Sequence, residues 1–315
     1  MGKTRQHNPV KRKSQPSSGS VSELISQAYA KLETGNFAKA LTLAERALPL
    51  CNQPTVLDSL GEIFSVAGDF QKASNCYAKA LGYDHLTHSA GLRYMTLYEI
   101  TGDPANLNSA ISIFRKHPGA EESRSSLILA LATLADAYLT RLDPPDIKAA
   151  IRTAKEAINI DPSYIEPHIS LAGAHLVAES FDLAEKAALC ALGLMEQRGL
   201  YKIERTENGD EEITVHSDDN QPAQQFLLSL SRICAGIGMY EQGAMCCDLV
   251  LAQNPKDAVA LHDLAWCYNL AGEYEDAKEA LLQVKDIYLE ENAADDLIVD
   301  IDAKIQALSA NPEQV

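Results

Sequence analysis

The sequence predicts an all-α fold, a superhelical solenoid of about seven helix pairs with a C-terminal capping helix and one inserted loop or hairpin. Three observations point there. A short cluster recurs as Gly35-Asn36-Phe37 with Ala40, Gly68-Asp69-Phe70 with Ala73, and Gly272-Glu273-Tyr274 with Ala277. The glycines keep a period: Gly35 to Gly68 is 33 residues, Gly68 to Gly102 is 34, and Gly238 to Gly272 is 34. Ala and Leu supply much of the apolar content, while Gly and Pro sit mainly between the periodic segments, the distribution expected of helices.

Taken in order, residues 1–20 form a basic arm that contains Ser and Pro, lacks hydrophobic periodicity and is expected to be disordered. The repeat array is expected over residues 21–292. Its first pair is marked by Ala28, Gly35, Phe37, Ala40 and Ala47, and its second by Gly61, Phe64, Gly68, Phe70, Ala73, Tyr77 and Ala80. In the third, Tyr98 and Gly102 fit, and Asp103-Pro104 with three extra residues is expected to lengthen the turn before Ala110 and Phe114. The fourth has Ala135 and Tyr138, a similar extension through Asp143-Pro144-Pro145-Asp146, then Ala150, Ala154 and Ala157. The fifth reads Ala172, Phe181, Ala184, Ala188 and Ala191.

An acidic insertion follows at residues 199–222, with seven acids and two bases. A β-hairpin is favoured over a mobile loop here, because strand-forming residues Leu200 to Ile203 and Ile213 to Val215 flank a turn at Asn208-Gly209-Asp210. The sixth pair carries Gly238, Tyr240 and Pro255, and the seventh Ala265, Tyr268, Gly272, Tyr274 and Ala277. Residues 293–315 are the capping helix and tail, with Leu297, Ile298, Ile301, Ile305 and Leu308 at helical spacing.

This register resembles the tetratricopeptide repeat family, in which small residues on both helices of a pair allow close approach and aromatics fill the space between pairs. Each unit is then stable only when stacked. The resemblance implies a concave inner face lined by the first helix of each pair. On this chain it assigns to that face Glu33, Asp58, Glu62, Glu99, Asp136 and Glu166, with Arg232 as the one base. Tyr29, Trp266, Ile25, Leu92, Leu139 and Ile169 are interleaved with them.

The net charge is −17, from 27 basic and 44 acidic residues. Lys3, Arg5, Lys11, Arg12 and Lys13 concentrate positive charge in the arm, so the remainder is strongly acidic. Such a body repels phosphate backbones, which argues against direct nucleic-acid binding and for a cationic protein ligand. The 7 cysteines form no C-x-x-C pair and read as small buried apolar residues of a reduced compartment. No apolar run suits a membrane span, and the start has no apolar signal core, so a soluble protein inside the cell, with no membrane partner, is expected.

Catalysis has no support in the sequence. Phosphate loops, nucleophile elbows and zinc-protease motifs are absent. The pairs His85 with His88 and His168 with His175 lack further ligands at recognisable spacing, so no metal and no cofactor are expected.

The basic start Gly2-Lys3-Thr4-Arg5 and Asn8-Pro9-Val10-Lys11-Arg12-Lys13, the seven-unit array and the acidic inner face together resemble the fungal family of dedicated assembly chaperones of the large-subunit ribosomal protein called L-four. That resemblance implies a monomer that captures the long basic internal loop of a newly made ribosomal protein. It would shield that loop with carboxylates in place of the missing phosphates and deliver its client for nuclear assembly. Glu33, Asp58, Glu62, Glu99, Asp136 and Glu166 would meet the client's cations, and Tyr29 and Trp266 would pack on their stems. Lys11, Arg12 and Lys13 form a candidate nuclear-import signal, with an import receptor as a further partner and both cytoplasm and nucleus as locations. Two other readings are weighed beside it. A structural or adaptor subunit of a multiprotein complex would keep stable partners. A clamp for a heat-shock protein's terminal carboxylate would need Lys, Arg and Asn on the first inner helices, where Ile25 and Tyr29 stand instead.

Overall fold

A computed structural model describes residues 20–85, 87–117, 121–205, 211–215, 224–290 and 294–310, and among these described residues there are fifteen α-helices. Residues 1–19, with Lys11, Arg12 and Lys13, lie outside the described residues, as does the expected turn at Asn208-Gly209-Asp210. The helices fall into two compact units, residues 1–102 and 103–315.

The first unit contains α1 (Val21–Glu33), α2 (Phe37–Ala47), α3 (Pro54–Val66), α4 (Phe70–Tyr83) and α5 (His88–Thr101). Each start has a local cause. Ser20 and Glu23 form a reciprocal capping box on α1, with each side chain bonded to the other's backbone N–H. Asn36 and Asp69 cap α2 and α4 by accepting from the N–H of Lys39 and Lys72. The turns within pairs need a left-handed residue, and Gly35 and Gly68 supply it at φ +69° and +86°. Ala40, Ala44, Ala73 and Ala80 are fully buried between paired helices, and at Gly61 an added Cβ would lie 2.8 Å from the Tyr77 ring.

The second unit contains α6 (Pro104–Phe114), α7 (Glu121–Thr140), α8 (Ile147–Ile160), α9 (Ile165–Val177) and α10 (Phe181–Gln197). After the insertion come α11 (Gln224–Gly236), α12 (Tyr240–Gln253), α13 (Ala258–Ala271), α14 (Tyr274–Glu290) and α15 (Asp295–Ala310). The lengthened turn expected before Ala110 is absent. Asp103 accepts from the Ala105 N–H and Pro104 takes the first helical position, so the extra residues form an additional turn of α6. In the fifth pair no glycine marks the turn, and Glu179 adopts φ +55° in its place.

The insertion is a two-stranded antiparallel hairpin, β1 (Tyr201–Arg205) with β2 (Glu211–Val215), in register from Tyr201 opposite Val215 to Arg205 opposite Glu211. Leu200 and Tyr201 are buried, and the Tyr201 hydroxyl donates to the Leu192 carbonyl of α10 at 3.1 Å. Helix α15 covers α13 and α14, burying Ile301 and Leu308 against Leu261, Leu281 and Val284. Leu297, expected on that buried face, is instead exposed. Of the cysteines, Cys76, Cys234, Cys246, Cys247 and Cys267 are buried as expected, whereas Cys190 is exposed. Among the described residues no helix is long and apolar enough to cross a membrane.

Candidate protein-binding faces

In the first unit, Tyr29, Asp58, Glu62 and Glu99 come from α1, α3 and α5. A cleft of about 550 Å³ is lined by Asp58, Glu62 and Val66 of α3, Tyr77 of α4, and Leu92 and Arg93 of α5. Two of the expected ligand-binding residues bind each other: the Tyr29 hydroxyl donates to Glu62 Oε2 at 2.5 Å. Burial, and then that hydrogen bond, push the Tyr29 phenol up to about 12. Burial also raises Tyr77, with the carboxylates of Glu62 and Asp58 acting in the same direction.

Asp58 is already engaged within the chain. Arg93 Nε lies 2.5 Å from its Oδ1 and Nη2 2.8 Å from its Oδ2, and Nη1 donates to the Asp84 carbonyl at 3.0 Å. Only 4% of Arg93 is exposed, against 30% of the Asp58 side chain. Sequence reasoning named Arg232 as the one base on the inner face and missed Arg93. The signal was present, because Arg93 falls on the stripe Ala90, Arg93, Leu97 that α5 buries, and a cation on an apolar stripe requires a fixed partner. Glu33, Glu62 and Glu99 are exposed, as is Leu92 beside Glu62's cleft.

In the second unit, Asp136 on α7 and Glu166 on α9 are both half-buried. Burial raises the Asp136 carboxyl, opposed by the charge of Arg141. Glu166 Oε2 is shut off from solvent and has no hydrogen-bond donor among the described residues. Ile169, expected on the open face, is instead in the core at 1% exposure, packed with Ala172, Ala188 and Ile233. Arg232 is neutralised within the chain, with Nε 2.8 Å from Oδ2 of the buried Asp263.

Trp266 is 38% exposed at a hollow of about 160 Å³ lined by His262, Leu281, Lys304 and Leu308. The acidic C-terminal region is partly self-paired: Lys256 binds Glu290, Lys285 binds Asp302 at 2.6 Å, and Lys304 binds Asp300 at 2.8 Å. No group of three or more His, Cys, Asp and Glu side chains among the described residues could hold a metal ion.

What these faces offer is recognition chemistry: exposed carboxylates beside apolar surface, suited to cationic side chains with aliphatic stems. Residues 246–279 match the tetratricopeptide repeat family model. No curated protein matches the chain by sequence. Among solved structures, the chain resembles the "Assembly Chaperone of RpL4 (Acl4)", at 19% identity over 81% of this chain and 98% of that one, with a TM-score of 0.60. It also resembles a tetratricopeptide repeat protein from Parabacteroides merdae, at 13% identity over 91% of this chain and 98% of that one, with a TM-score of 0.54. A third similarity is to the APC/C hetero-tetramer Cut9-Hcn1, at 13% identity over 90% of this chain and 53% of that one, with a TM-score of 0.51. The fold is that of tetratricopeptide helix-pair proteins.

Proposed function

We propose that the chain is a dedicated chaperone for a newly made basic ribosomal protein of the large subunit. It binds the client's long internal loop through carboxylates on the first helices of its pairs and delivers it for nuclear assembly. The observation that carries this reading is the first unit's cleft, where Glu62 stands beside exposed Leu92 and Val66. A lysine or arginine needs that pairing of charge and apolar surface. The fold likeness to a protein named as the assembly chaperone of RpL4 supports RpL4 as the client class.

The role is binding rather than catalysis. Glu33, Glu62, Glu99, Asp136 and Glu166 meet the client's cations, while Asp58 contributes indirectly by holding Arg93 in place. The test is calorimetric titration of the full chain with the basic internal loop of RpL4 at about 150 mM salt, where long-range attraction is screened. Combined Glu62→Lys, Glu99→Lys and Asp136→Lys substitution is expected to abolish binding while helicity is retained, and unchanged affinity would overturn the reading. Asp58 is left out of that set, because reversing it would strand a buried guanidinium. Import is tested separately: residues 1–20 fused to a reporter are expected to carry it into the nucleus, and a cytoplasmic reporter removes Lys11, Arg12 and Lys13 from the proposal.

A further inference from the structure

Aligned at the 33-residue spacing of Gly35 and Gly68, Gln27, Ala30 and Lys31 of α1 correspond to Leu60, Ile63 and Phe64 of α3. In α3 these three side chains are fully buried, in a helix that packs against both α1 and α2. In α1, Gln27 and Ala30 are exposed and Lys31 is half-buried. The first pair is therefore polar where the second is apolar. Solubility alone would be served by charges of either sign, so the sign needs a separate cause.

The hollow between α1 and α2, about 510 Å³, is lined by Lys31, Lys39 and Arg46 around Ala30 and Leu43, with no carboxylate in its lining. This concentration of positive charge occurs in a chain of net charge −17. The side-chain nitrogens of all three cations lack a hydrogen bond or ion pair among the described residues. Lys72, which aligns with Lys39, is by contrast held by Glu45 at 2.8 Å and Asp69 at 2.6 Å.

We infer that this hollow docks an acidic segment of another protein, whose carboxylates meet Lys31, Lys39 and Arg46 and whose apolar side chains rest on Ala30 and Leu43. The chain's own first residues do not fit as occupant, since Lys3, Arg5, Lys11, Arg12 and Lys13 repeat the charge of the hollow and no acid accompanies them. An acidic segment with interspersed apolar side chains uses the floor as well as the rim. A phosphate backbone uses only the rim and has no apolar side chains to place on Ala30 and Leu43. The site is opposite in sign to the proposed client-binding cleft and does not depend on it.

The test uses the full chain and fluorescence anisotropy at about 100 mM salt. The probe is a short labelled amphipathic Glu/Leu peptide, with a labelled oligothymidylate for comparison. Lys31→Glu, Lys39→Glu and Arg46→Glu together are expected to weaken peptide binding about tenfold or more. Lys31→Arg with Lys39→Arg is expected to retain it, which separates charge from damage to the fold. Replacing Lys11, Arg12 and Lys13 by Ser is expected to leave most of the binding in place. Absence of peptide binding, equal binding by the charge-reversed chain, or tighter binding of the oligonucleotide than of the peptide would each overturn the proposal.

Discussion

Arg93 of α5 holds Asp58 of α3 through two nitrogen–oxygen contacts, Nε to Oδ1 at 2.5 Å and Nη2 to Oδ2 at 2.8 Å. The guanidinium is almost wholly buried and also donates to the Asp84 carbonyl. It therefore ties the first helices of two successive pairs to the end of α4. Arg93→Leu is expected to destabilise the first unit by about 3 kcal/mol, because it leaves a partly buried carboxylate and a carbonyl without their donor. Arg93→Leu with Asp58→Leu is expected to recover much of that loss. Urea denaturation followed by circular dichroism measures both, and an equal loss in the single and double variants would show that packing, not charge pairing, is at stake.

At position 243 the limit is space. An added Cβ would lie 2.9 Å from Cys267 Sγ, 3.0 Å from the Ser231 carbonyl oxygen and 3.6 Å from the Ala235 nitrogen. Two of these are backbone atoms of α11, which cannot swing aside. Gly243→Ala is expected to lower stability by about 1–3 kcal/mol even though Ala is the better helix former. A thermal melt of that variant at or above the parent's midpoint would refute the close approach of α12 to α11 and α13.

Asp248, on the same helix, responds to pH. Burial pushes its carboxyl up to about 6, whereas an unfolded aspartate ionises near 4. Between about pH 4 and pH 6 the folded chain holds this proton more tightly than the unfolded one, so the residue's contribution falls as pH rises through that window. Above the window the cost is constant, on the order of 3 kcal/mol. Asp248→Asn is expected to be more stable than the parent at pH 7, with the advantage disappearing near pH 4. An advantage independent of pH would point to a different cause.

Helix α15 is attached by a contact of opposite pH sense. Lys304 Nζ lies 2.9 Å from His262 Nε2 of α13, an arrangement that needs a neutral imidazole. Burial lowers the histidine first, then the charge of Lys304. Arg232 acts in the same direction, while Asp263 and Asp300 oppose them. Its contribution is complete above about pH 6.5 and is lost as pH falls through the depressed folded value. Amide exchange across α15, corrected for intrinsic rates, is expected to quicken between pH 7.5 and 5.5 in the parent and to change less in His262→Gln.

The helix pairs were legible because their markers are local. A glycine at the turn, an apolar or aromatic residue opening the next helix and Ala at its close-packed positions all sit within one unit, so periodicity exposes them. The fifth turn escaped the glycine pattern because Glu179 takes up the left-handed backbone that glycine adopts in the first two pairs. The faces were legible only in part. Which carboxylate stays free depends on what a helix in the next pair presents, and a shift of one residue decides it: Arg93, not its neighbour Leu92, reaches Asp58. Tyr29 and Glu62 each fall on the expected inner face, and nothing in a single sequence tells that their distance is 2.5 Å. Register alone puts Ile169 on the open face, whereas the packing of α9 puts it in the core.

The hairpin of β1 and β2 has its two outer ends side by side, since Tyr201 pairs with Val215. It contacts α10 through β1 and α12 through β2, bridging the second helices of two successive pairs. Extra chain added beyond Arg205 would therefore alter neither the spacing nor the order of the helices, and its closure cost would grow only slowly with length. The array thus has a port at which another domain could be spliced in, by evolution or by design, while the helix pairs on either side keep their register.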